Sequence, residues 1–167
     1  MRILFFRHGL AGDRADFAKT GRPDDKRPLT SKGKRKTARS AKGLRALVPE
    51  LDMIATSPLT RARQTAEILA KVYGGLRPSR VEDLSPKGDR EEILLWLVEK
   101  SPNLVALVGH EPALGTLAGW FLTGKAEPWF ELGKAGACLL EFHGVPKAGA
   151  AKLAWLLQPS QLRGLED

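Results

Sequence analysis

Two histidines and two arginines in this sequence stand where apolar runs give way to polar residues. The segments are Phe5-Phe6-Arg7-His8-Gly9, Ala55-Thr56-Ser57-Pro58-Leu59-Thr60-Arg61 and Leu107-Val108-Gly109-His110. Those side chains suit phosphoryl transfer. A neutral imidazole can attack phosphorus and hold the phosphoryl group as a covalent intermediate. Arginine forks match phosphate oxygens with charge-assisted hydrogen bonds. Cations around the equatorial oxygens stabilise the transition state without requiring Mg²⁺. His8 is therefore the candidate nucleophile, and Arg7, Arg61 and His110 are the candidate ligands of the oxygens. Gly9 would leave room for a phosphate near the backbone. Ser57, followed by Pro58, reads first as a helix N-cap with proline at the first helical position, and second as a phosphate contact. His143 has no motif around it and reads as structural or exposed.

These residues can meet only if strands bring them to one edge. Residues 2–6 read as a buried strand, 52–56 as a second, 79–82 as a short one and 103–108 as a strongly apolar one. Residues 135–143 and 151–158 read as two late strands, joined as a hairpin across the Gly/Pro-rich stretch 144–150. Between them lie helical patterns. One runs from Thr30 or Ser31 to about Val48, with Ala38, Ala41, Leu44 and Val48 as its apolar stripe and Gly33 and Gly43 weakening it. A second runs from Ser57-Pro58 to Tyr73 and stops at Gly74-Gly75. A third starts at Asp89, and a fourth follows Gly109-His110-Glu111-Pro112. Residues 9–29 read as a long loop, a length that often marks function. Alternating strands and helices predict an α/β fold, and in such sheets ligands bind at the C-terminal strand edge.

Composition narrows the class. At 167 residues the chain suits one domain, expected over 1–160 with a loosely held polar tail at 161–167. Hydrophobic residues make up 43% and charged residues 28%, which excludes an extensively disordered chain. No apolar run approaches the ~20 residues of a membrane span. The N-terminal apolar run is too short for a signal peptide, so a cytoplasmic location and no membrane partner are expected. Cys138 is the single cysteine, which rules out an internal disulfide and reads as a small buried residue. The net charge of +8 favours anionic partners. Lys32, Lys34, Arg35, Lys36, Arg39, Lys42 and Arg45 fall within fourteen residues and read as a solvated helix face. The four tryptophans are not interleaved with that run, which argues against nucleic acid.

Taken together, the motifs resemble the histidine phosphatase superfamily, the phosphoglycerate-mutase-like group. The resemblance rests on Arg7-His8-Gly9, on Arg27-Pro28-Leu29-Thr30 with Gly33, on Ser57-Pro58-Leu59-Thr60-Arg61-Ala62-Arg63-Gln64-Thr65 and on Gly109-His110-Glu111-Pro112. It covers about two-thirds of the chain, in order. Small size and the segment Asp83-Leu84-Ser85-Pro86-Lys87-Gly88-Asp89 are similar to the short SixA-type phosphohistidine phosphatases. The resemblance implies a single-domain three-layer α/β/α sandwich with a mostly parallel sheet, no metal and no cofactor. It also implies a phospho-His8 intermediate. Many members of the superfamily carry a general-acid glutamate shortly before the glycine equivalent to Gly88, where this chain has Leu-Ser-Pro. An ester leaving as alkoxide gains much from a proton donor; a phosphohistidine, leaving as imidazole, needs less. The expected substrate is thus phosphohistidine in a signalling protein. A phosphomonoesterase for small metabolites or phosphoserine peptides is the alternative. A non-catalytic phosphate-binding or nucleic-acid-binding basic module is the alternative of another class. Glu82, Asp83 and Asp89 are the carboxylates near enough in sequence to replace the acid.

Overall fold

A computed structural model describes residues 1–166. Six strands form one sheet: β1 (Arg2–Arg7), β2 (Met53–Thr56), β3 (Ser79–Arg80), β4 (Leu104–Gly109), β5 (Ala137–Phe142) and β6 (Ala151–Leu157), in the spatial order β3-β2-β4-β1-β5-β6. The first four in that order run parallel, and β5 is antiparallel to both β1 and β6. Helices α2 (Ser31–Leu47), α3 (Thr60–Val72) and α6 (Pro159–Arg163) cover one face, and α4 (Arg90–Lys100) and α5 (Ala113–Thr123) the other. This is the three-layer, mostly parallel sandwich that the sequence implied.

Alternation along β1 shows why both faces are covered. Leu4 and Phe6 pack with Ala41, Leu44, Ala62 and Leu69, while Ile3 and Phe5 pack with Ile93, Leu97, Leu117 and Phe121. A strand buried on both faces reads as an unbroken apolar run, and β1 and β4 do. Cys138 lies buried in β5, where burial raises its thiol pKa, so it is inert as expected.

Several expectations need correction. The second long helix begins at Thr60 with Leu59 as N-cap, not at Pro58 after Ser57. The hydroxyl of Ser57 accepts from the Leu59 N–H in a short turn instead of capping the helix. The stretch 9–29 is not structureless: it holds α1 (Arg14–Ala18) and a single 3₁₀ turn at Asp24–Lys26. A bridge between Ala11 and Leu29 closes its ends, and the Leu29 N–H donates to Gln64 Oε1 on α3 at 2.8 Å. The end of the chain is not loosely held through residue 166. Leu162 is fully buried among the α2 and α3 side chains, and Glu166 pairs with Arg39 and with Lys42.

The seven basic residues of α2 are all exposed, as a solvated face requires. Thr37, rather than Ala38, completes its buried stripe. Gly33 and Gly43 trade helix propensity for close approach. A Cβ on Gly33 would lie 2.0 Å from the Leu10 carbonyl oxygen, and one on Gly43 would lie 1.8 Å from that of Leu162. Gly33 thus seats α2 against the segment that follows His8, and Gly43 seats α6 against α2.

Gly43→Ala should therefore lower the unfolding free energy by about 1–3 kcal/mol, the usual cost of overpacking, although alanine is the better helix former. Gly12→Ala is the control, since a Cβ there meets nothing within 4 Å; its change should stay within about 0.5 kcal/mol. Urea denaturation of both variants checks this, and equal midpoints for Gly43→Ala and the unsubstituted chain would refute it.

Candidate active site

The C-terminal ends of β1, β2 and β4 deliver polar residues to the same edge of the sheet: Arg7 and His8, Ser57, and His110. Arg7 is the last residue of β1 and pairs with Gly109. The ladder continues one step: the His8 N–H donates to the Gly109 carbonyl at 3.0 Å, and the Ser57 N–H to that of Val108 at 3.0 Å. This continuity sets His8 beside His110, with ring centroids 5.0 Å apart and planes at 54°. Arg61 enters from the first turn of α3, directly after β2. His8, His110 and Arg61 are each buried to less than a tenth of their full exposure.

Each side chain is oriented by a partner outside the cluster. His8 Nδ1 lies 2.7 Å from the Gly9 carbonyl oxygen. A carbonyl can only accept, so Nδ1 carries the proton and Nε2 keeps its lone pair. Burial is the main force lowering the His8 pKa to about 4, with Arg61, Arg7 and Lys134 acting the same way against the Gly9 hydrogen bond. Burial likewise lowers His110 to about 3, with His8, Arg61 and Arg7 adding to it. Both rings are neutral at pH 7. His110 Nε2 lies 2.8 Å from Ser57 Oγ.

The arginines are tied down by groups that the sequence reading did not single out. Arg61 donates to the Asp24 carbonyl at 3.1 Å and faces the Asp24 carboxylate at 3.3 Å. That carboxylate also takes Arg27 at 2.8 Å and Arg14 at 3.5 Å. The Arg27 hydrogen bond, helped by Arg61 and Arg14, outweighs burial and holds the Asp24 pKa at about 2. Arg7 donates to the Leu132 carbonyl and, at 3.1 Å, to Glu131. Glu111 clamps this segment by accepting from the Leu132 N–H at 2.9 Å and the Gly115 N–H at 3.0 Å.

Gly9 has a physical reason beside the one its sequence context suggested. A Cβ there would lie 2.1 Å from Thr37 Oγ1, so glycine is needed to admit α2. Its N–H donates to Thr65 Oγ1 at 3.0 Å, and Thr65 in turn donates to the Arg61 carbonyl at 2.8 Å. Gln64 and Thr65, quoted above only as motif letters, thus lash the His8 loop to the helix that carries Arg61. Their place in the motif was the available signal, as was the position of Glu111 directly after His110. Asp24 carried no signal beyond lying in a loop rich in Asp and Arg. His143 is exposed and apart from the cluster.

Three buried nitrogen atoms have no hydrogen-bond partner among the described residues: Arg7 Nε, Arg61 Nε and His110 Nδ1. Leaving a buried polar group unpaired costs about 1–3 kcal/mol. All three lie on the cluster, and an oxyanion with several acceptor oxygens would satisfy them together. The three carboxylates near the 83–89 turn are engaged elsewhere. Glu82 pairs with Arg80, Asp83 accepts from the Asp89 N–H at 3.1 Å, and Asp89 accepts from the Glu91 N–H at 2.8 Å.

Comparison with known proteins agrees with this arrangement. Residues 3–85 match the model of the histidine phosphatase superfamily (branch 1). An uncharacterized protein of Picosynechococcus sp. is 42% identical over 92% of this chain and 88% of its own length. The phosphohistidine phosphatase SixA of Escherichia coli is 26% identical over 98% of this chain and 97% of its own. A structure of the protein histidine phosphatase SixA complexed with tungstate superposes with a TM-score of 0.80 at 24% identity, covering 97% of this chain and 99% of that one. From its matched segment and its relatives over nearly the whole length, the chain belongs to the histidine phosphatase superfamily, a group of phosphatase enzymes.

Proposed function

We propose that this phosphatase works without a metal through a phospho-His8 intermediate and removes phosphate from phosphohistidine in a signalling protein. The observation that carries the mechanism is the state of His8: neutral, with its proton held on Nδ1 by Gly9, and its Nε2 lone pair among donors. In the first step Nε2 attacks phosphorus, an N–P bond forms, and the bond to the leaving group breaks. Arg7, Arg61 and His110 hold the phosphoryl oxygens as charge spreads onto them. Gly9 and Ser57 hold the two histidines. In the second step water attacks phosphorus and gives up a proton to solvent, the N–P bond breaks, neutral His8 is regenerated and inorganic phosphate is released.

The choice of substrate rests on the leaving group and on the full-length similarity to SixA. Glu82, Asp83 and Asp89 each bond a neighbour within their own segment, which supports the reading that none serves as the acid. A phosphoimidazole can take its proton on the distal ring nitrogen from solvent and then leave as neutral imidazole. No acid is then needed beside the scissile bond.

Rapid-quench labelling with a phosphorylated substrate should trap phosphate on the unsubstituted enzyme and none on His8→Ala, whose turnover should fall by at least about 10³-fold. A labelled intermediate on His8→Ala, or strong inhibition by EDTA, would overturn the mechanism. A panel of phosphohistidine protein, phosphoserine peptide and sugar phosphate should rank the first highest by kcat/KM. Preference for a sugar phosphate would make the chain a small-molecule phosphomonoesterase instead.

The pH profile carries a further expectation. His8 is active when neutral, and its lowered pKa keeps it neutral down to about 4. After correction for ionisation of the substrate, kcat/KM should be lost as pH falls through about 4 and should stay flat near 6.5. An acid limb remaining at 6.5 after that correction would show that the histidines are not held neutral.

A further inference from the structure

We infer that Ser57 is a positioning residue that fixes the tautomer of His110, making His110 Nδ1 a hydrogen-bond donor toward the phosphoryl oxygens. The inference deepens the phosphatase reading above and rests on it for the role of His110 as an oxygen ligand.

One buried hydroxyl has a small, fixed set of donors and acceptors around it. Ser57 is fully buried. Its Oγ accepts from the Leu59 N–H at 3.3 Å and lies 2.8 Å from His110 Nε2. A backbone N–H can only donate, so it offers nothing to the hydroxyl proton. Among the described residues His110 Nε2 is the one acceptor bonded to that hydroxyl. The hydroxyl proton therefore goes to Nε2, because the alternative leaves it buried without a partner. A neutral imidazole that accepts at Nε2 must carry its proton at Nδ1. His110 is neutral, since burial and the neighbouring cations lower its pKa to about 3. Nδ1 is also the ring atom left buried and unpartnered. With a proton it donates to an oxyanion; as a bare lone pair it would repel one.

The two histidines are thereby set in opposite senses by opposite partners. His8 faces a carbonyl, which accepts, and is left with a lone pair for attack. His110 faces a hydroxyl, which donates, and is left with a proton for binding. Two rings 5.0 Å apart, each neutral, are thus differentiated into nucleophile and donor by what lies behind them. Donating its proton to His110 leaves the Ser57 oxygen its lone pairs, one of which takes the Leu59 N–H.

The test uses the chain's small number of histidines. With only His8, His110 and His143 present, long-range ¹H–¹⁵N correlation spectra of the ligand-free protein resolve each ring. His110 should show the Nδ1–H tautomer in the unsubstituted protein. Ser57→Ala should shift it toward Nε2–H, weaken the binding of inorganic phosphate about 10-fold and lower kcat/KM by a similar factor or more. Ser57→Thr keeps a hydroxyl and should keep the Nδ1–H signal; Ser57→Cys, close in size to serine and a weak donor, should fall between. The His8 signals should be unchanged in all three, which separates a tautomer effect from general disruption of the site. An Nε2–H tautomer at His110 in the unsubstituted protein would overturn the inference. So would Ser57→Ala with both the Nδ1–H signal and phosphate affinity unchanged. Because the spectra are taken without substrate, they report on Ser57 even if His8 labelling fails. A correct tautomer with no labelled intermediate would refute the mechanism and leave this assignment standing.

Discussion

Placing two guanidinium groups and two imidazoles together below the surface is electrostatically costly, and the rest of the site is arranged around that cost. The imidazoles respond by staying neutral, since burial and the nearby arginines both disfavour their protonation. The arginines cannot lose their charge in the physiological range, so carboxylates and carbonyls must offset it. Asp24 serves Arg61 together with Arg14 and Arg27, and Glu131 with the Leu132 carbonyl serves Arg7. The compensation is partial at the inner edge. The nitrogen atoms without partners are those on the side chains that a phosphate would need. A dianion brings both the charge and the acceptors that the protein itself withholds.

That electrostatic arrangement depends on strand geometry. His8 and His110 stand side by side because β1 and β4 are adjacent and parallel, and their ladder extends to the residue that carries each ring. Crossovers between parallel strands place helices on both faces, and α3 then begins where β2 ends, which sets Arg61 at the same edge. The closed loop 9–29 adds the Asp24 carboxylate from above. Its ends are held by Ala11 against Leu29, and its body by Gln64. Glycines at 9 and 33 let α2 approach close enough to support the loop after His8.

The α/β class, the strands and most helix limits were legible from apolar periodicity, because β1 and β4 are buried on both faces and read as plain apolar runs. The four central side chains were legible because strand ends announce themselves as a change from apolar to polar. Their orienting partners were not. Asp24 lies 37 residues from the Arg61 it binds, and Glu111 reaches Leu132 across 21 residues. Long-range polar pairing leaves no periodic trace in a sequence. The start of α3 was misjudged for a local reason. Ser-Pro is a good capping signal, but the Ser57 oxygen takes the Leu59 N–H in a short turn and the helix opens only at Thr60. The last turn was underestimated because its one fully buried side chain, Leu162, lies in a mostly polar stretch.

On the proposed mechanism, leaving-group chemistry is where this arrangement becomes selective. The cluster supplies attack and charge stabilisation, both indifferent to what departs from phosphorus. Proton donation is what separates an ester from a phosphoramidate, and the three carboxylates near the 83–89 turn are bonded within that stretch of chain. Asp83 holds the Asp89 N–H and Asp89 caps α4, so the segment that elsewhere in the superfamily presents an acid is here used to begin a helix. His110 is a poor substitute, since it is neutral and its one proton is needed on the phosphoryl oxygens. Under the proposed function, a substrate able to take its leaving proton from solvent would be favoured at such a site over an alkyl phosphate. On the proposed mechanism the preference would come from the proton that the leaving group needs, while the residues placed around phosphorus and its oxygens would be common to both reactions.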